Sequence, residues 1–241
     1  MNSLSARDLP WHDARTLTPE ERAAITRSIQ QFQLGEGSNG RRLLERGQEY
    51  AKAVDDPLFT AALARFVEEE QRHSWYLARF MEVQGIPVLR KHWVDTVFRG
   101  LRGLAGLELS LTVLVTAELT AVPYYRALRS ATNSVILRAI STKILEDEGA
   151  HLKFQASMLA RLASKRPLAL QRLLSVLHGL FLLGTIVIVW VEHQNVFKAA
   201  RYDFGRLKSE TLRGFHDFDS ARREGIARST AEGRRNLFPY P

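Results

Sequence analysis

Two Glu-x-x-His motifs, each in the middle of a long amphipathic segment, constrain the fold of this chain more than any other feature. Between residues 57 and 84 apolar residues recur at alternating spacings of four and three, and Glu70 and His73 occupy two of those positions. Between residues 135 and 163 Glu148 and His151 do the same. Positions three apart lie on one face of a helix, so each pair can direct a carboxylate and an imidazole at one metal ion.

Two further predicted helices each place one glutamate among core-facing apolar residues. Glu118 lies among leucines in the segment from 104 to 129. Glu36 is in register with Ile25, Ile29 and Phe32 in a helix predicted from 19 to about 52, which the glycine-rich run from 35 to 40 breaks in the middle. A buried carboxylate without a partner is costly. Four inward carboxylates would also repel one another unless cations neutralised them.

The turns between these helices set the four glutamates at a common level. Glu36 precedes the turn near residue 54 by 18 residues, and Glu70 follows it by 16. At about 1.5 Å per residue the offset is about 3 Å. Glu118 and Glu148 lie about 14 residues before and about 16 residues after the turn near residue 132, by the same helical rise.

The sequence therefore predicts a two-metal centre. Its predicted ligands are Glu36, Glu70, His73, Glu118, Glu148 and His151. Carboxylate and imidazole ligands fit two iron ions best and manganese next. Glu36 requires the helix to continue through the glycine-rich run from 35 to 40. If that run is a surface loop, Glu45 or Glu49 would replace Glu36 as the ligand.

Several neighbouring residues have simpler interpretations. Glu69 and Asp147 lie outside the core-facing positions and suit solvated or supporting roles better than metal ligation. We interpret Tyr125, two turns beyond Glu118, as a core aromatic residue, although an electron relay is an alternative. His178 and His193 flank the most apolar segment, and we leave both out of the site.

Capping signals divide the chain into helices, and the predicted class is all-α. Thr18, Pro19 and Glu21 form a capping box with proline at the first turn, and Asp56 and Pro57 begin the second helix. Residues 86 to about 103 make a long crossover between the second and third helices, with room for one short helix. Residues 130 to 134 form the next turn.

We expect four regions along the chain. They are a tail over 1–18, a metal-binding four-helix bundle over 19–163, an apolar fifth helix over 164–200 and a basic tail of short helices over 201–241. Residues 173 to 191 are almost wholly apolar, so this stretch could span a bilayer, lie in its interface or cover the bundle. We favour a buried or interfacial helix over a spanning one.

Composition limits the chemistry and the partners. The chain has no cysteine, which excludes disulfides, iron–sulfur clusters, thiolate zinc sites and cysteine nucleophiles. The N-terminal residues lack the apolar stretch of a secretory signal, so we expect a cytoplasmic protein, peripheral to or anchored in the inner membrane. A net charge of +8 favours an anionic partner, whether lipid headgroups or an acidic carrier protein, unless it is only a solvated surface. Nucleic acid is not the partner we expect, and a homodimer is compatible with the sequence.

The pattern of one glutamate from each of two helices and Glu-x-x-His from each of two others resembles the ferritin-like di-iron carboxylate superfamily. The resemblance covers residues 19 to 163. Within that superfamily, the segments LGEGSNGRR, EEEQRH, AELTAVPYYRALR and LEDEGAH are similar in order and character to demethoxyubiquinone hydroxylases, which act on membrane-dissolved quinones. The resemblance implies one iron on Glu36, Glu70 and His73 and another on Glu118, Glu148 and His151. It also implies that Glu70 and Glu148 bridge the two ions.

The resemblance also implies a function. We expect a di-iron oxidoreductase of the hydroxylase or desaturase type that uses dioxygen and an external electron donor on a hydrophobic substrate such as a quinone, lipid or acyl chain. Two alternatives stay open. One is an iron-storing or peroxide-reducing protein of the ferritin or rubrerythrin kind, and the other is a membrane-associated metal-binding protein without catalysis.

Overall fold

The computed structural model describes residues 9–12, 15–38, 40–104, 106–164 and 166–237, and the regular secondary structure in this part of the chain is all helical, without strands. Its helices are α1 (Pro19–Glu36), α2 (Arg41–Val54), α3 (Pro57–Val83), α4 (Trp93–Leu104), α5 (Leu107–Ser130), α6 (Val135–Ala163), α7 (Leu168–Ala199) and α8 (Phe204–Leu237). The prediction of an all-α fold is confirmed.

The predicted helix starts are confirmed at their caps. The Thr18 side chain accepts a hydrogen bond from the Glu21 backbone N–H, and the Glu21 carboxylate accepts one from the Thr18 backbone N–H. Asp56 caps α3 by accepting from the Phe59 N–H. Such caps satisfy backbone donors that the helix itself leaves without partners. These local signals fix where the chain turns back on itself.

The first predicted helix is interrupted between 36 and 41, within the glycine-rich run where the sequence predicted a break. α1 ends at Glu36, and α2 begins at Arg41 after Gly40, whose φ is +61°. A Cβ on Gly40 would lie 2.5 Å from Cγ1 of Val67 on α3. Gly40 thus combines a left-handed backbone with a close approach to α3, and both require glycine.

Four helices surround the centre of the molecule. α1 packs against α3, α5 against α6, and α3 against α6, while α2 covers α3 and α5. The predicted crossover contains α4, which packs on α5 and α1. The interior between these helices is filled by fully buried side chains, among them Ile25, Leu63, Phe80, Leu111 and Tyr124.

The C-terminal half differs from the expected arrangement at its end. α7 packs on α5, α1 and α8, and its helical geometry is interrupted at His193 (φ −118°, ψ 15°). We expected short helices after residue 200, but the chain forms a single long helix, α8, which lies against α6, α5 and α7. Buried Leu207, Thr211 and Phe218 anchor α8 to the rest of the molecule.

Two of the described helices, α5 and α7, are long and apolar enough to cross a membrane by length and composition. In the most apolar stretch of α5, 72% of the residues are buried, which is typical of a core helix, whereas in α7 only 22% are buried. α7 therefore has an apolar surface that faces outward. The exposed large apolar residues of this outer face are Leu168, Leu170, Leu173, Leu174, Val176, Leu177, Leu180, Leu183, Val187 and Val191.

Candidate metal centre

The structure brings all six predicted ligands together between α1, α3, α5 and α6. One group of donor atoms comes from Glu70, Glu118, Glu148 and His151, and a second comes from Glu36, His73 and Glu148. Within each group, the donor atoms lie within 4.8 Å of one another. Glu148 belongs to both groups, which suits a bridging carboxylate. Glu70 is grouped with Glu118 and His151, although its Oε1 also lies 3.7 Å from His73 Nδ1.

Glu36 was predicted as a ligand on the condition that the helix continue through the glycine-rich run. It reaches the centre although α1 ends at this residue. It is the last residue of α1, and its carboxylate lies beside those of Glu70 and Glu148. Glu45 and Glu49, the possible substitutes, are exposed on α2, and Glu45 pairs with Arg41 at 2.9 Å. The end of α1 therefore positions the fourth glutamate.

The hydrogen bonds that are missing at this site indicate what it can hold. Six buried side-chain nitrogen and oxygen atoms in the described part of the chain have no hydrogen-bond partner. Five of them belong to predicted ligands: Glu70 Oε1, His73 Nδ1, Glu118 Oε2, Glu148 Oε2 and His151 Nδ1. Buried polar atoms are normally satisfied, so a cluster of five on facing side chains fits a site for cations.

Each imidazole is held in place by a carboxylate from the opposite helix. His73 Nε2 on α3 lies 3.1 Å from Asp147 Oδ2 on α6, and His151 Nε2 on α6 lies 3.1 Å from Glu69 Oε2 on α3. In both motifs the supporting carboxylate comes directly before the ligand glutamate. This contact directs Nδ1 of each ring at the centre, as outer carboxylates do for metal-bound histidines. The expected supporting role of Glu69 and Asp147 agrees with these contacts.

Two neutral side chains orient the remaining carboxylates, and sequence reasoning did not assign them to the site. Tyr125 Oη donates a hydrogen bond of 2.8 Å to Glu36 Oε1, and Gln155 Nε2 donates to Glu118 Oε1. Gln155 is fully buried one turn beyond His151. Its polar character at a core-facing position was the signal that could have revealed it.

Burial and the neighbouring charges favour the protonated forms of several groups in the cluster. Burial, together with the charges of Glu70 and Glu148, raises the pKa of Glu36 well above its usual value. Burial and the charge of Glu148 do the same to the pKa of Glu118. Burial would lower the pKa of His151, but its contacts with Glu148 and Glu70 outweigh this and raise it to about 12. Cations would therefore displace protons on binding.

Glu70 differs from the other ligand carboxylates. Burial raises its pKa, but interactions with the imidazoles of His151 and His73 outweigh burial, so its pKa is lowered overall. The supporting Asp147 behaves in the same way, since contacts with His73 and Lys143 overcome burial and bring its pKa to about 2. Both carboxylates are therefore ionised and available at neutral pH.

This chain has no match among protein-family models, curated proteins or solved structures. Only the residues of this chain and their arrangement indicate what it does.

A cavity of about 650 Å³ leads from the cluster toward α2, α4 and α7. It is lined by all four glutamates of the candidate centre, namely Glu36, Glu70, Glu118 and Glu148. Its other walls are mainly apolar and include Phe32, Phe98, Leu114, Ile188 and Val189. A molecule in this cavity would contact the predicted metal ligands at one end and apolar side chains along its length.

His193, where α7 is interrupted, also lines the cavity. Its Nδ1 lies 2.8 Å from Ser28 Oγ, which in turn lies 3.0 Å from Tyr124 Oη. Phe32 stacks on Tyr124 with ring centroids 3.5 Å apart and also contacts the His193 ring. Burial lowers the pKa of His193 to about 3, so the imidazole is neutral. It is part of the cavity wall and lies outside both groups of candidate metal ligands.

Proposed function

We propose that this chain is a ferritin-like di-iron protein that uses dioxygen to oxidise a hydrophobic substrate. The observation that carries the proposal is the cluster of four carboxylates and two imidazoles, with inward atoms that lack hydrogen-bond partners, at the end of an apolar cavity. Glu70, Glu118, Glu148 and His151 would hold one ion. Glu36 and His73, with Glu148 shared, would hold the other.

The placement of the ligands supports the ferritin-like arrangement. α1 and α5 each supply one glutamate, while α3 and α6 each supply Glu-x-x-His. This is the ligand pattern of ferritin-like di-metal carboxylate proteins. Two ions held here would supply the redox chemistry that activates dioxygen. Carboxylate and imidazole ligands also suit manganese, but we propose iron because the proposed reaction is a redox one.

The protein's own residues would contribute orientation and exclusion of water. Asp147 and Glu69 fix the imidazoles, while Tyr125 and Gln155 fix the carboxylates of Glu36 and Glu118. A ligand set held in this way needs little rearrangement on binding cations. The apolar walls of the cavity would hold the substrate against the cluster while excluding bulk water.

The outer face of α7 supports a hydrophobic substrate and a peripheral membrane location. Leu173, Leu177 and Leu180 are 54%, 50% and 60% exposed on this face, whereas Ile188 and Val189 of the same helix line the cavity. Contiguous exposed apolar surface of this kind marks interaction sites. We propose that α7 lies in the lipid interface, because α5, α1 and α8 pack along its other side.

The proposed activity can be separated from iron storage by measuring iron and dioxygen together. Metal-free protein is loaded anaerobically with excess ferrous iron, desalted, and mixed with air-saturated buffer containing a chemical reductant. We expect about two irons per chain and dioxygen consumption that continues over several turnovers. The His151→Ala variant should lose this consumption, because it removes an inward nitrogen. Iron uptake far above two per chain would contradict the proposal and favour storage.

A further inference from the structure

Four arginines surround the C-terminal end of α4, where the cavity opens between α2, α4 and α5. Arg42, Arg99 and Arg102 line the cavity, and Arg46 contacts the last residues of α4. A guanidinium carries a permanent charge and five N–H donors, so in a partly buried position it normally pairs with a carboxylate or with backbone carbonyls. The contacts of these four side chains separate them into two pairs.

Arg46 and Arg99 have structural roles that account for their presence. Arg46 donates to the backbone carbonyls of Arg102 and Gly103 at 2.8 and 3.1 Å and to Ser110 Oγ at 2.7 Å. Arg99 pairs with Asp95, one turn earlier in α4, and donates to the Leu34 carbonyl at 3.1 Å. Arg46 connects the end of α4 to α2 and α5, and Arg99 connects α4 to α1.

Arg42 and Arg102 have no such partners. Both line the cavity, Arg102 half-buried and Arg42 exposed, and within the described residues neither guanidinium takes part in a hydrogen bond or an ion pair. The Arg42 guanidinium reaches the end of α4 beside Arg102, since a Cβ on Gly103 would be 2.9 Å from Arg42 Nη1. Burial and the charge of Arg99 lower the pKa of Arg102, and they outweigh the opposing charges of Asp95 and Glu70.

Nearby acidic residues are already used. Asp95 pairs with Arg99, and Glu45 pairs with Arg41. The cluster carboxylates belong to the candidate metal centre. Arg102 lies in the last turn of α4, where the helix dipole favours a cation. The dipole does not explain why this side chain is partly buried, because an exposed arginine would interact with it equally well. Two guanidinium groups without such partners, at the wall of a mainly apolar cavity, instead fit a ligand with an anionic head.

We propose that the cavity binds an apolar molecule with one anionic head group, a carboxylate or a phosphate, held by Arg42 and Arg102. Its apolar part would lie along Phe98, Leu114 and Ile188. The inference rests on the proposed function, because it takes this cavity as the substrate pocket. It adds the chemical class of the substrate: an acidic amphiphile, in place of a neutral hydrocarbon or neutral ring.

The test compares three ligands that share a twelve-carbon chain and differ only in the head group. Metal-free full-length protein is titrated calorimetrically with dodecanoate, dodecyl phosphate and 1-dodecanol. A charge-assisted hydrogen bond contributes enough that we expect at least one of the anions to bind about tenfold or more tightly than the alcohol. The better of the two anions identifies the head group as carboxylate or phosphate.

Variants assign the preference to the two arginines. Arg102→Gln and Arg42→Gln should each weaken binding of the preferred anion about tenfold and leave dodecanol binding unchanged. Arg138→Gln, which removes the same charge at an exposed position on α6 away from the cavity, should change neither. Using two arginine variants keeps the test decisive if one of them folds poorly, as judged by its circular dichroism.

Two results would overturn the inference: equal binding of the alcohol and both anions by the unaltered protein, or anion binding that survives both arginine substitutions. Because the titrations use metal-free protein, they do not depend on iron. Failure of the metal centre would appear in the iron count and leave the anion preference intact. Failure of the anion site would leave the iron count at two.

Discussion

The two nitrogens of each imidazole at the centre have different partners. Nε2 of His73 and of His151 contacts a supporting carboxylate of the facing helix. Nδ1 of each faces the cluster carboxylates, at 3.1 Å from Glu70 Oε1 for His151, without hydrogen-bond geometry. In a purely structural network both nitrogens would be satisfied, because buried polar atoms normally are. At the scale of single residues, this asymmetry is the clearest indication that the cluster is built for cations.

Replacing the Asp147 carboxylate tests whether the cluster is built for cations. Asp147→Asn keeps the size of the side chain but removes the charge that orients and polarises His73, so we expect metal affinity to fall about 10- to 100-fold. The affinity is measured by titrating the metal-free protein with Mn²⁺ in competition with a chelator. Glu146→Gln, at the exposed neighbouring position, is the matched control. Equal affinities for both variants would contradict a supporting role for Asp147.

The sequence predicted which residues meet at the candidate centre better than it predicted the side chains that support them. Glu70, His73, Glu118, Glu148 and His151 were predictable because a charged residue at a core-facing position stands out against an apolar period. The contacts of Tyr125 and Gln155 were not, because they depend on the rotation of one helix against another. No spacing within a single helix carries that information.

α7 presents different surfaces on its two sides. One side packs on α5, α1 and α8 and contributes to the cavity wall, while the outer face exposes a row of leucines and valines. Exposed apolar surface favours transfer into lipid, with fully burying a leucine worth about 1.5 to 3 kcal/mol. At the scale of elements, this helix is the part of the molecule that we expect to meet a membrane.

The outer face can be tested by adding charge to it. The double variant Leu173→Glu/Leu180→Glu places two carboxylates on that face, so we expect its partition onto vesicles of anionic phospholipid to fall at least tenfold. Flotation with vesicles measures the bound fraction. Leu58→Glu changes a residue that is 79% exposed on α3, and it should bind vesicles like the unaltered protein. Identical flotation of all three proteins would argue against a lipid-facing α7.

Helix boundaries followed the sequence where a cap marked them and departed from it elsewhere. Thr18 and Asp56 cap the helices that their positions predicted, because side-chain capping is a local interaction. The glycine-rich run predicted a break in the first helix, but the bounds of that break also depend on the approach of Val67 from another helix. The length of α8 depends on packing against α6 and α5, which the polar composition of residues 201–241 did not indicate.

At the scale of the whole molecule, the candidate centre depends on four helices that come from distant parts of the chain. Glu36 and His151 are 115 residues apart in sequence, yet both belong to one cluster. Matching the levels of the glutamates across two turns was enough to predict this convergence, because helical rise per residue is nearly constant. The cavity arginines were not predicted, since cavities form between elements.

Counting the metal ions bound per chain tests the central claim most directly. The unaltered protein is reconstituted with ferrous iron without oxygen, desalted, and analysed by elemental mass spectrometry alongside His73→Ala, His151→Ala and the exposed control His216→Ala. We expect about two irons per chain in the unaltered protein and the control, and a loss of one or both in each site variant with helical content retained. A count that both site substitutions leave unchanged would contradict a metal centre at these residues.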